Sequence, residues 1–249
     1  MKIIRFEYKG KQDWGVIRNE VIHTVTGDLF KGVTESKETV PLGEVKVLPP
    51  VSPSKIVGVG SNYYEFIKER KLEIPDEPRL FFKPPSSIIG HLDHIIRPDR
   101  FEDVVYEGEL GVVIGKKAKN ITESQALDYV FGYTIVNDVT VRDYAKKGIR
   151  SAIDKGMDTF CPFGPAIVTD MDPDNLNLEI RLNGKITRTS NTKNLVFKTA
   201  YLISFISSIM TLLPGDLIPT GTPGTGPIKK GDVVEIEIEG IGILKNFVS

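Results

Sequence analysis

The chain has 249 residues, 40% of them hydrophobic and 26% charged, the values of a folded globular protein and not of a disordered one. Thirty-two Lys and Arg against 33 Asp and Glu leave a net charge of -1, which excludes a chain that wraps nucleic acid by bulk charge. One cysteine, Cys161, and three histidines exclude an internal disulfide and leave almost no material for a zinc–thiolate site, so a metal here would take oxygen ligands.

The N-terminus alternates and turns, and no stretch approaches the roughly 20 apolar residues of a membrane span. The expectation is a cytoplasmic protein with neither a membrane nor a nucleic-acid partner. Three short β-rich runs open the chain: Ile3 to Tyr8, Trp14 to Ile17 and Val21 to Val25. Pro49 and Pro50 suppress both helix and interior strand. They predict a junction between a small β domain over 1–50 and a main domain over 51–249.

Ile56 to Val59 reads as a buried strand, followed by a short helix capped by Asn62 and carrying Glu65 and Glu69 at i,i+4. The Pro-rich segment after it holds a short strand, Leu80 to Phe82. Its loop is readable equally as a lid or as an extended surface arm. Val104 to Gly115 is strongly β-rich. Thr122 and Gln125 have the spacing of a capping box and predict a helix from Glu123 to Tyr129. Thr134 to Asp138 is a further strand, and Asn183-Gly184 marks a hairpin. Phe197 to Leu212 reads as an amphipathic helix ended by Pro214-Gly215, and strands close the chain after a glycine-rich loop, Gly221 to Pro227. The fold class is mixed α/β, mostly β, and not a doubly wound sheet.

The chemistry concentrates on Glu107-Gly108-Glu109. In a strand, residues i and i+2 point the same way, so two carboxylates stand side by side in apolar surroundings. Close, poorly solvated carboxylates need protons or a cation. Asp138, ending an apolar strand, offers a third ligand, although strand-terminal Asp is also a common turn residue. Glu107, Glu109 and Asp138 together suit an octahedral Mg2+ or Mn2+ with positions left for a chelating anion; a 2-oxo acid fits. Lys155 and Arg142 would make such a pocket positive. Asp158 reads as loop cap or site support. The glycine-rich loop lacks the features of a P-loop or dinucleotide site, leaving carboxylate binding or a plain tight loop. His91 and His94 do not make a zinc pair; either remains a candidate base.

At this point the sequence resembles the fumarylacetoacetate hydrolase family. GSNYYEFIKE, FFKPPSSIIG, YEGELGVVIGK, GYTIVNDVTVRD, KGMDTFCPFGP, NTKNLVF and GDLIPTGTPGTGP follow one another in the family's order. The resemblance implies a mixed β-roll with a small N-terminal β domain, a homodimer, and metal carboxylates at Glu107, Glu109 and Asp138. It implies Lys155 and Arg142 beside the metal, Thr222 facing the substrate, Lys83 and Ser86 or Ser87 near the mouth, and Tyr63 in the substrate-binding NYxxHxxE-like stretch. In that stretch hydrolytic relatives pair a histidine with a glutamate to activate water. Here Glu69 matches the glutamate, but Phe66 stands in the histidine's position, and phenylalanine accepts no proton.

The leading expectation is metal-dependent hydrolysis of a C–C bond in an acylpyruvate-like 2-oxo or 1,3-dicarbonyl acid through an enolate, with Glu69 or a histidine such as His94 as base. Isomerisation, decarboxylation or dehydration of a related 2-oxo acid shares the enolate without needing water attack. A catalytically silent metal- and ligand-binding relative is the third reading.

Overall fold

A computed structural model describes residues 1–144 and 152–249. Among these residues fourteen strands form one large sheet and five a second, so the fold is mixed and mostly β. The spine is Val104–Ile114, eleven residues all buried. Its β-branched content suits a strand covered on both faces. One half pairs antiparallel with Val130–Asn137 and with Leu217–Pro219. The other half pairs with Thr140–Val141 and Thr225–Pro227. The second sheet packs across it, and Gly108 is the point of closest approach: a Cβ there would stand 2.8 Å from the Ile180 side chain and 3.1 Å from Ile236. Glycine between two glutamates lets the sheets close while both carboxylates face the opposite side.

The N-terminal strands Lys2–Tyr8, Lys11–Arg18 and Val21–Asp28 occur where β-rich runs predict them. Lys2–Tyr8 joins the large sheet by pairing with Cys161–Val168. A fourth strand, Gly32–Pro41, was not apparent from the sequence. It is almost wholly exposed, so its polar residues carry no period-two signal. At the hairpin, Asn183 and Gly184 both have positive φ, 53° and 75°, as a type I′ turn requires. The long helix is Thr199–Ile209. Glu123–Tyr129 has its Thr122–Gln125 capping box but winds as a 3-10 helix. No helix among the described residues is long and apolar enough to cross a membrane.

One expected role is corrected. The short helix is Tyr64–Arg70, and Tyr63, not Asn62, occupies its cap position. The buried Asn62 amide instead donates to the carbonyls of Phe197 (3.1 Å) and Thr220 (2.8 Å) and accepts from the Phe197 N–H (2.8 Å). It thereby ties the helix entry to two distant segments. Asn62→Ala leaves those groups unpaired in a dry interior, and urea denaturation is expected to show a loss of about 3 kcal/mol.

Candidate active site

Pairing between Gly108 and Asn137 places the end of Val130–Asn137 beside Glu107, and the Asp138 N–H donates to the Glu107 carbonyl at 2.8 Å. The carboxylates of Glu107, Glu109 and Asp138, all buried, thereby offer oxygens within 4.8 Å of one another. Lys155, at the end of the short helix Ala152–Lys155, reaches between two of them. Its ammonium donates to Glu107 at 2.8 Å, to Asp138, and to the Thr140 hydroxyl at 2.8 Å. Arg142 donates to the other Glu107 oxygen at 3.1 Å. Lys83, also buried, donates to Asp138 at 2.6 Å and to the Val139 carbonyl at 3.1 Å.

This leaves Glu109 the least compensated. Among the described residues its carboxylate accepts one hydrogen bond, 2.7 Å from the Gly221 N–H. Burial first, and then repulsion from Asp138 and Glu107, raise its pKa well above the usual carboxylate range. Burial would raise Asp138 as well, but Lys155 and Lys83 overcome it and hold that pKa low. Burial opposes the charge on Lys155, and its two carboxylate partners outweigh it and raise its pKa. Three hard oxygen donors, one of them an under-compensated buried glutamate, fit a divalent cation of the Mg2+ or Mn2+ kind.

Gly221 adopts φ +108, and a Cβ there would approach the Asn62 Cβ at 2.9 Å. The loop therefore requires glycine at the residue whose N–H holds Glu109. Gly221→Ala is expected to weaken divalent-cation binding by about tenfold through displacement of that donor, a shift that titration calorimetry reads directly.

The triad opens on a cavity of about 340 Å³ lined by Glu107, Glu109, Lys155, Arg142 and Thr222, and also by Phe66, Arg70, Phe81 and Asp154. A larger cavity of about 540 Å³ lies beside the N-terminal strands, around Arg5, Trp14 and Phe30. Among the described residues it holds no carboxylate cluster of this kind.

The structure does not gather every residue suggested by sequence. Lys83 lies beneath the triad, fully buried, instead of at the mouth. Ser86 and Asp158 are exposed and outside the cavity lining. The neighbouring Ser87 is buried and donates to the Pro84 carbonyl. Tyr63 is buried, and its hydroxyl has no partner among the described residues. Glu69 pairs with Arg188 at 2.9 Å on the outer side of its helix and does not line the cavity. Neither candidate histidine does so: His91 accepts from the Lys245 N–H, and His94 bonds to the Ser249 hydroxyl. Two charged lining residues escaped sequence reading, Arg70 and Asp154. Arg70 is one helical turn beyond Phe66, and that i,i+4 relation was the available signal.

Known proteins resemble the chain over its whole length. The sequence profile described as fumarylacetoacetate (FAA) hydrolase C-terminal matches residues 55–249, and one described as Rv2993c-like, N-terminal matches residues 1–50. An oxaloacetate tautomerase of Homo sapiens mitochondria is 44% identical over 223 residues, 84% of this chain and 71% of that one. The crystal structure of a 2-hydroxyhepta-2,4-diene-1,7-dioate isomerase from Mycobacterium marinum is 39% identical, with a TM-score of 0.93 over 100% of this chain and 98% of that one. A maleylpyruvate hydrolase from Sphingobium sp. SYK-6, solved with manganese(II) and pyruvate, is 29% identical with a TM-score of 0.84, covering 100% of this chain and 98% of that one.

Proposed function

Since the chain belongs to the fumarylacetoacetate hydrolase family, we propose that it is a divalent-metal-dependent enzyme interconverting enol and keto forms of a small 2-oxo acid. Glu107, Glu109 and Asp138 would hold the cation, Mg2+ or Mn2+. A bound cation of this kind supplies Lewis-acid charge that stabilises negative charge developing on a carbonyl oxygen. Arg142 adds fixed positive potential beside Glu107, and Thr222 offers a hydroxyl from the glycine-rich loop. Tautomerisation moves one proton between the 2-oxygen and C3. Once the enol oxygen has released its proton to solvent, the Lys155 ammonium gives a proton to C3 as the enolate becomes the ketone, and the amine is then reprotonated from solvent, so one proton leaves oxygen and one reaches carbon. The raised pKa of Lys155 keeps the ammonium charged while it waits.

The observation that carries this reading is Phe66 on the cavity wall together with the absence of any histidine from that wall among the described residues. C–C hydrolysis, the first expectation from sequence, needs a base to activate water. Glu69, the residue proposed for it, is paired with Arg188. Relatedness to an oxaloacetate tautomerase supports a proton-transfer reaction without water attack, whereas the more distant maleylpyruvate hydrolase leaves hydrolysis as the second reading.

Purified protein with Mg2+ or Mn2+ is expected to accelerate oxaloacetate enol–keto exchange, followed by ultraviolet absorbance and by deuterium exchange at C3. Lys155→Met is expected to lower kcat by on the order of 10²–10³. Cleavage of acylpyruvates at a turnover equal to or above that exchange would establish hydrolysis instead.

A further inference from the structure

The cavity of about 540 Å³ beside the N-terminal strands takes no part in the reaction proposed above. Its wall draws on three stretches of chain. Arg5, Trp14 and Phe30 come from the segment 1–50, Ser52 from the link after it, and Pro214 and Gly215 from the turn before Leu217–Pro219. Small-molecule sites occupy roughly 300–1,000 Å³ and concentrate at junctions between units of a fold.

Two aromatic rings line it, each held by contacts of its own. Trp14 stands opposite Arg5 in the pairing of Lys2–Tyr8 with Lys11–Arg18, and its indole N–H donates to the Pro50 carbonyl at 2.9 Å. Phe30 meets Phe131 edge-on, with ring centres 5.1 Å apart. Gly215, at φ +88, lies against Phe30, and a Cβ there would stand 3.3 Å from the ring.

The charged groups of the wall differ in how they are compensated. Asp28 accepts from the N–H groups of Phe30 (2.9 Å) and Lys31 (3.3 Å) and pairs with the Lys31 ammonium at 3.2 Å. Its charge is therefore balanced within its own loop. The Arg5 guanidinium carbon lies 5.2 Å from the centre of the Trp14 ring. Its N–H groups donate to the Ser52 hydroxyl at 3.1 Å and to the Gln12 amide oxygen at 2.8 Å, both neutral. The Gln12 amide in turn donates to Glu7 at 3.4 Å. Arg5 Nε is buried without a hydrogen-bond partner, and no carboxylate pairs directly with Arg5 among the described residues. A cation stacked on an indole and partly withdrawn from water leaves one positive charge for a ligand to meet.

We infer that this junction cavity is a second ligand site, for a small monocarboxylate with a flat apolar body such as an arylalkanoate. The carboxylate takes Arg5, whose guanidinium fork suits a planar carboxylate bidentately. The apolar body takes the side of Trp14 and Phe30, which supplies most of the area to be buried. The site needs no metal and stands independently of the reaction at the triad.

Trp14 is the one tryptophan of the chain, so its fluorescence, excited at the red edge of tryptophan absorption, reports from this cavity alone. Three probes separate the features: phenylacetate carries ring and charge, phenylacetamide the ring alone, and acetate the charge alone. In the intact metal-free protein phenylacetate is expected to change Trp14 emission saturably, with Kd on the order of 1 mM for a ligand of its size. Phenylacetamide is expected to bind about tenfold more weakly, the scale of one charged hydrogen-bonding interaction. Acetate should give no saturation over the same range. Arg5→Gln is expected to bring phenylacetate and phenylacetamide within about twofold of each other by removing that interaction, with a thermal melt verifying its fold. Should the variant not fold, the three titrations of wild type decide alone. No saturable change with phenylacetate, equal affinities for acid and amide in wild type, or a discrimination that survives Arg5→Gln would each overturn the assignment. So would competitive displacement of phenylacetate by oxalate with Mn2+ present, which would put the probe in the triad cavity instead.

Discussion

Glu109→Ala abolishes divalent-cation binding while leaving the metal-free protein as stable as wild type or more so. Both halves follow from one feature: Glu109 is buried, repelled by two neighbouring carboxylates, and offset by a single backbone N–H and the more distant Lys155. Without a cation its charge is a cost, so removing it relieves the fold at the expense of a small cavity. With a cation it becomes one of three ligands, and its loss leaves two carboxylates already engaged by Lys155, Lys83 and Arg142. At a cation concentration about a hundredfold above Kd, wild type should gain about 2.7 kcal/mol in unfolding free energy, and Glu109→Ala essentially nothing. Urea denaturation with and without Mg2+ or Mn2+ measures the increment, and calorimetry measures binding directly. An increment equal to that of wild type in the variant would remove Glu109 from the site.

The opposite signs of these effects identify a functional residue. A structural carboxylate of similar burial would destabilise the protein when removed, whether or not metal was present. Glu109 is instead a local conflict retained inside an otherwise consistent core, the kind of exception that marks a site.

Much of this was readable from the chain because the responsible interactions are short in sequence or set by strand geometry. Glu107 and Glu109 share a face through a two-residue period. The strand around them is apolar on both sides, so burial followed without knowing the partners. Asn183-Gly184 announces its own turn by tolerating positive φ at both positions. Gly32–Pro41 gave no such signal, because an exposed strand of polar residues has no buried face to impose alternation. The 3-10 winding of Glu123–Tyr129 was equally invisible, since a capping box marks where a helix begins and not its pitch.

The misread roles have a different cause. Asn62 stands where a cap residue belongs, but its partners Phe197 and Thr220 lie 135 and 158 residues away. Local sequence therefore favoured a local hydrogen bond that the fold replaces. Glu69 has the spacing of a catalytic glutamate, yet Arg188, on a distant hairpin strand, takes up its carboxylate. Arg70 was missed because an arginine beside lysines at a helix end looks like an ordinary solvated charge. Only the position of Thr225 and the cavity distinguishes it.

Lys83→Met has a large expected effect on stability, at least that of Asn62→Ala, and its partners are again remote. Sequence reading set Lys83 at the mouth of the site; the fold buries it completely against Asp138 and the Val139 carbonyl. Methionine keeps the length and apolar stem but strands an Asp138 oxygen and a carbonyl in a dry interior. Breaking one side of a buried ion pair costs about 3–5 kcal/mol, most of it the uncompensated charge left behind. Lys155 still donates to the other Asp138 oxygen, which favours the lower end of that range. A divalent cation bound to Asp138 replaces the lost charge, so the deficit should shrink when Mn2+ is added. Denaturation of wild type and Lys83→Met with and without Mn2+ gives the four free energies of this cycle. A change within about 0.5 kcal/mol, as for a surface lysine, would contradict the buried placement. A deficit that Mn2+ leaves untouched would separate Lys83 from the metal ligand it is bonded to.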